Sequence, residues 1–356
     1  MSKARTLILF FLLHLASVFA IFPERMMAAS STGHWMAVSL LFVIELLVLW
    51  LYMKGMSFFP GKTVADICSE ALGKWGAGLV ALPILFFLML EVILLTYYET
   101  VEIKAVLLQR TPVLATSALF VLLCLYAAWK GLAALIRVSI GWFFLFMPFI
   151  LFSMLISVKN YRFHYIFPIW NGSLTFLFDP DFYVGSVMFA GFLFLGMTSP
   201  GSRIGFKGAT ATMGVLFVFA LASVYIPLLL FGQETAVRLQ YPLLMASDTI
   251  DLEWVVFDWL PSFYVVSSSA LGVLKVSVLL WMLVSFLHRL FMPKADSRLI
   301  LAIACIGLYI SCQLIPNADR LNHYLYLNSY FCLYTTIGFP IIVFLAAQWN
   351  RKKARA

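Results

Sequence analysis

The sequence predicts an all-α fold, a polytopic membrane protein of about ten transmembrane helices, and three observations carry that prediction. Of 356 residues, 63% are hydrophobic and only 11% charged, against about 25% charged in an ordinary soluble domain. Apolar runs long enough for a hydrocarbon core about 30 Å thick, which takes about 20 residues at roughly 1.5 Å each, recur along the whole chain. No low-complexity tract or soluble domain interrupts them. The runs lie at 7–28, 35–54, 77–98, 113–129, 138–158, 183–200, 208–231, 264–287, 298–315 and 329–349. Residues 1–356 thus read as a single integral membrane domain.

The net charge of +8 has the size of a nucleic-acid signal, but its placement is topological. With ten spans the two chain ends share a side. That side carries 16 Lys and Arg, among them Lys3, Arg5, Lys54, Lys62, Lys74 and the C-terminal cluster from Arg351 to Arg355, against 7 on the other. By the positive-inside rule both termini are expected in the cytoplasm, and no nucleic-acid partner is expected. Lys3 and Arg5 ahead of an apolar run, with Val18-Phe19-Ala20 beyond, have the outline of a cleavable signal. The run is read as a retained anchor, because nine further spans and cytoplasmic ends require it. Five cysteines without a CxxC pair, mostly within spans, read as small apolar residues and predict neither a disulfide framework nor a metal site.

Between spans two and three, Phe59-Pro60-Gly61-Lys62-Thr63 precedes Val64, Ile67, Cys68, Ala71 and Leu72 at helical spacing, with Asp66, Glu70 and Lys74 between them. This is the pattern of a short amphipathic helix on a membrane surface. A phosphate loop needs a glycine where Met56 stands and a strand before it, so nucleotide binding is rejected. The stretch 232–263 mixes Glu234, Asp248, Asp251, Glu253 and Asp258 with Tyr241, Pro242, Trp254 and Trp259. It reads either as an amphipathic connector with interfacial tryptophans or as a cover over the bundle, a lid or partner surface.

Three stretches in order carry a resemblance. Residues 58–78 (FFPGKTVADICSEALGKWGAG) closely resemble the loop after the second span of the spore germination protein B family. Lys130-Gly131 followed by Arg137 is similar to that family's stretch between spans four and five, and Phe167-Pro168 with Gly172 to its stretch after span five. Span count, length and Tyr241-Pro242 agree, so the resemblance covers nearly the whole chain. The chain departs from the family in keeping only Pro23 of the glycine-rich break in span one, and in having Gly191-Phe192-Leu193 where Gly-Phe-Glu is frequent.

The resemblance implies the amino acid, polyamine and organocation transporter architecture. Two inverted repeats of five helices, here about 7–158 and 183–349, would hold a ligand at mid-depth between broken spans one and six. A broken helix frees N–H and C=O groups that hydrocarbon cannot satisfy and a ligand can. Candidate ligand-binding residues are accordingly Ser17, Phe19 and Ala20 in span one and Gly191, Phe192 and Gly196 in span six. The span-six glycines, with Gly185, Pro200 and Gly201, are read either as a break or as close-packing residues.

The ionisable residues read as deep are His14, Glu45, Glu91 and Lys275. A central charge costs about 2.5–3.5 kcal/mol on insertion scales, so each needs a partner or a wet cavity. Glu91 and Lys275 sit near the middles of spans three and eight, symmetry mates in a five-plus-five repeat, and are the candidate charge pair. Such a pair either fixes helix packing or couples to ligand or proton. His14 and Glu45 are expected to use water or backbone.

The resulting reading is a B subunit of a germinant receptor that binds a small nutrient, an amino acid by preference, and signals to A- and C-type subunits in the inner membrane of a bacterial spore. It implies no catalysis and no cofactor. An amino-acid secondary transporter and an assembly scaffold without ligand are the alternatives.

Overall fold

The computed structural model describes residues 3–59, 61–198, 202–249 and 260–353. Among these residues there is no β-strand. The chain runs through α1 (Lys3–Phe19), α2 (Phe22–Ala29), α3 (His34–Ser57), α4 (Val64–Val106), α5 (Val113–Trp129) and α6 (Leu132–Ile156). It continues through α7 (Pro180–Gly185), a 3-10 helix (Ser186–Met197), α8 (Phe206–Phe231), α9 (Gln233–Ala236) and α10 (Pro242–Asp248). The last elements are α11 (Leu260–Phe286) with a π turn (Leu287–Phe291), α12 (Ser297–Gln313), α13 (Ala318–Leu333), a second π turn (Tyr334–Gly338) and α14 (Phe339–Lys353).

Seven helical stretches among the described residues are long and apolar enough to cross a membrane, and α1 with α2 qualifies as one bent span. The shorter apolar helices α5 and α12 have 17 residues each, about 25 Å of helix, the lower limit for a crossing. Each of the ten apolar runs of the sequence overlaps one of these stretches.

Local sequence explains the breaks. Pro23 stands at the second position of α2; it has no N–H to give Phe19, four residues earlier, and its ring crowds that carbonyl. The helix therefore stops at Phe19, and α2 leaves at 55° to α1. The chain enters α4 through a capping box: Asp66 N–H donates to Thr63 Oγ1, and Thr63 N–H donates to Asp66 Oδ2 at 2.9 Å. Thr63 is thus a helix cap. Lys62 pairs with Glu70. The amphipathic turns end at Gly73, whose φ of 70° and ψ of 173° kink α4 before its long apolar part.

Span six departs from expectation. A parting near Gly191–Gly196 is not found, and the 3-10 helix runs unbroken from Ser186 to Met197 with every residue buried. The physical reason is close packing: a Cβ on Gly191 would lie 3.3 Å from His14 Cε1, and one on Gly196 only 1.9 Å from the Tyr52 hydroxyl. These glycines seat neighbouring side chains. Pro200 and Gly201 lie outside the described residues.

Helices α4 and α11 form the most extensive contact of the bundle, and α1 lies against α6, α8, α11 and the 3-10 helix. Beyond span seven, α9 and α10 fold over the bundle. Gln233 Nε2 donates to Met27 O at 3.0 Å and Ser30 O at 3.1 Å, and Leu243 and Leu244 are buried. The rest of that stretch, with Glu253 and Asp258, lies outside the described residues. All five cysteines are free and buried.

Candidate functional site

The bend in span one is the centre of the site. Its freed carbonyls are taken by phenols: Tyr264 Oη donates to Phe19 O at 3.1 Å, and Tyr98 Oη donates to Ala20 O at 3.2 Å. Backbone irregularity inside an apolar bundle survives only with such partners. Next to the last turn of α1, Lys275 of α11 donates to Ser17 Oγ. A cation there also meets the negative end of the α1 dipole.

Lys275 Nζ lies 3.2 Å from Glu91 Oε1, and both side chains are almost wholly buried. The second carboxylate oxygen, Glu91 Oε2, accepts from Asn328 Nδ2 of α13 at 3.0 Å. Ser17, Lys275, Glu91 and Asn328 thus form one polar chain across α1, α11, α4 and α13. A cavity of about 20 Å³ opens beside it, bounded by Ser17, Ala20, Glu91, Gly185, Met188 and Lys275 among others. This is room for about one water molecule.

Of the residues singled out from sequence, Ser17, Ala20, Glu91 and Lys275 line this cavity. The other four do not. Phe19 turns its ring onto Tyr264, with centroids 6.2 Å apart. Phe192 packs edge-on against Tyr52 at 5.3 Å, and Gly191 and Gly196 back onto His14 and Tyr52. Span six reaches the cavity one to three turns earlier than expected, through Val184, Gly185, Val187 and Met188.

The expectation for His14 and Glu45 is corrected in part. They bond each other, with His14 Nε2 and Glu45 Oε1 2.9 Å apart, while His14 Nδ1 lies 2.7 Å from Phe10 O. Two deep carboxylates escape the sequence reading: Glu99 and Glu102 are 1% and 2% exposed. The apolar run fades at 98, but α4 continues to Val106 under Tyr241, Tyr264 and α11. Their spacing from Glu91, eight and eleven residues, is helical and marks one face of α4. Ser268 donates to Glu102 Oε2 at 3.4 Å.

At the end of the bundle away from the chain termini, about one turn beyond the cavity lining, a second polar group joins α2, α7 and α13. Arg25 of α2, 5% exposed, bonds Asp181 Oδ1 of α7 at 2.9 Å, Glu24 Oε1 at 3.1 Å and Asn322 Oδ1 of α13 at 2.6 Å. Tyr326 Oη donates to the same Asp181 oxygen at 3.2 Å. Toward the chain ends, Tyr52 Oη donates to Leu193 O at 3.1 Å. There Arg203 donates to the carbonyls of Met56, Phe59 and Lys62.

A bundle of apolar spans, one of them interrupted beside a buried ion pair and a small cavity, defines a permease-like integral membrane protein. The profile of the family described as "Spore germination protein" matches residues 1–320. The chain belongs to that family. It is also similar to spore germination protein KB of Bacillus subtilis (strain 168), with 24% identity over 331 residues that cover 90% of this chain and 87% of that protein.

Proposed function

We propose that this protein is the B subunit of a spore germinant receptor and that it binds a small nutrient, an amino acid, at the bend of span one. In this reading it passes the signal to A- and C-type partner subunits, catalyses nothing, lies in the inner spore membrane and keeps both termini in the cytoplasm. The observation that carries the site is the meeting of the bent span with a buried polar chain at a cavity between spans one and six. The packing of α4 on α11 and of α1 and α2 on span six also supports a five-plus-five inverted repeat.

The cavity, of about 20 Å³, is too small for any amino acid, so in this reading binding requires α2 and α7 to move apart. The Arg25 to Asp181 pair holds that seam, which makes its rupture the step a ligand has to drive. The same small volume favours a second reading, a scaffold that binds no nutrient.

Calorimetric titration of each of the twenty amino acids against the full-length protein in lipid nanodiscs separates the two. At least one is expected to bind saturably and to bind more weakly to Ser17→Ala, with Lys62→Ala unchanged. No saturable binding across the set leaves the scaffold. Accumulation of the bound amino acid inside proteoliposomes makes the protein a transporter.

A further inference from the structure

A second pocket, of about 250 Å³, opens at the end of the bundle that carries the chain termini, where the α5–α6 junction meets the end of α11 and the start of α12. His288, Arg289 and Arg298 line it together with the indoles of Trp129 and Trp281. The Arg298 guanidinium stands 5.4 Å over the Trp129 ring. His288 and Arg289 are carried there by the π turn Leu287–Phe291, a local geometry that concentrates at functional positions.

The acids that face these bases are two. Asp66 Oδ1 lies 3.5 Å from Arg289 Nη1, and Asp296 Oδ1 accepts the backbone N–H of Arg298 at 2.9 Å. No carboxylate is among the described residues that line the pocket itself. Lys130, 5.0 Å over the Tyr126 ring, adds a third fixed cation at the adjoining edge.

Two apolar grooves along the surface of the spans end at residues next in sequence to the lining of this basic pocket. One, about 560 Å³, lies among α5, α6 and α11 and reaches Tyr126, Ala127 and Lys130. The other, about 480 Å³, lies among α4, α11 and α12 and reaches Leu287 and Ile300. A soluble anion has no use for such grooves. An amphiphile with an anionic head does, since arginines grip phosphate oxygens through paired N–H groups and tryptophans favour headgroup depth.

We propose that this pocket binds the phosphate headgroup of an anionic phospholipid whose acyl chains follow the flanking grooves. Arg298 and Arg289 hold the phosphate, His288 and the two indoles border it, and Lys130 guards the mouth of the larger groove. The site is separate from the cavity at the bend of span one and stands without any reading of the nutrient.

Native mass spectrometry of the full-length protein, titrated with phosphatidylglycerol or with phosphatidylcholine of the same acyl chains, tests it. Phosphatidylglycerol is expected to bind about tenfold more tightly, because phosphatidylcholine offers the same phosphate together with a choline cation that Arg289 and Arg298 repel. Arg298→Gln and Ser285→Glu should erase that preference, and Lys207→Gln, an exposed cation at the start of α8, should keep it. Because bound lipid is counted per intact protein ion, a poorly expressed variant still reports. Equal affinity for the two lipids overturns the proposal. So does an equal loss in Lys207→Gln, which reports diffuse surface charge, or full competition by inorganic phosphate at the lipid's own concentration, which shows that the grooves contribute nothing.

Discussion

Lys275 and Glu91 face each other across the contact between α11 and α4, 3.2 Å apart and shut away from solvent. Removing one partner leaves a charge alone in the bundle, at a cost of about 3–5 kcal/mol. Glu91→Gln or Lys275→Met alone should therefore sharply lower folded protein in membranes. The double variant should recover part of the loss, with a coupling of about 0.5–3 kcal/mol. Strictly additive losses in a denaturation series would show that the two charges act independently.

Gly196 and Tyr52 offer a second pair. A Cβ at Gly196 would fall 1.9 Å from the Tyr52 hydroxyl and 2.8 Å from its Cζ, in a ring held between Phe192 and Phe339. Gly196→Ala should cost about 1–3 kcal/mol through overpacking, more than Gly191→Ala, whose nearest neighbour would be 3.3 Å away. Tyr52→Phe should restore part of the Gly196→Ala loss in melting temperature. No restoration would place the strain in the backbone.

The Arg25 to Asp181 seam predicts a change in access. Asp181→Asn weakens the closure of α2 on α7, so a cysteine at Ala20 should react with a thiol reagent about tenfold faster if opening becomes easier by about 1.4 kcal/mol. The five native cysteines are as buried as Ala20, so the rates are compared in a chain with all five replaced by alanine. An unchanged rate means that another contact closes the cavity.

Topology follows from charge placement. A cysteine at the exposed Asn171, in the connection between spans five and six, should label from the face opposite the termini in intact cells or vesicles. Labelling from the cytoplasmic face instead would invert the bundle and remove the positive-inside argument.

Pro60-Gly61-Lys62-Thr63 should bind no nucleotide, since Thr63 caps α4 and Lys62 pairs with Glu70. Lys62→Ala is expected to leave membrane abundance within about 0.5 kcal/mol of wild-type stability, as for other exposed pairs. ATP binding that disappears in this variant, measured by filter retention, would reverse that assignment.

The sequence by itself determined the class and the placement of the apolar stretches, because run length against bilayer thickness is a local property. A break in span one entered only as an implication of the family resemblance, and the structure supplied its local cause, a proline that cannot donate to Phe19. The sequence also brought forward Glu91 and Lys275, because an isolated charge in an apolar run demands a partner wherever the partner lies. The tertiary structure alone decided which glycines matter to the cavity. Gly185 lines it, while Gly191 and Gly196 accommodate His14 and Tyr52 from other helices, and glycine looks the same in sequence whether it frees backbone or admits a neighbour. Only packing, likewise, buried Glu99 and Glu102. They stand past the end of the apolar run, and Tyr241 and α11, distant in the chain, are what remove them from water.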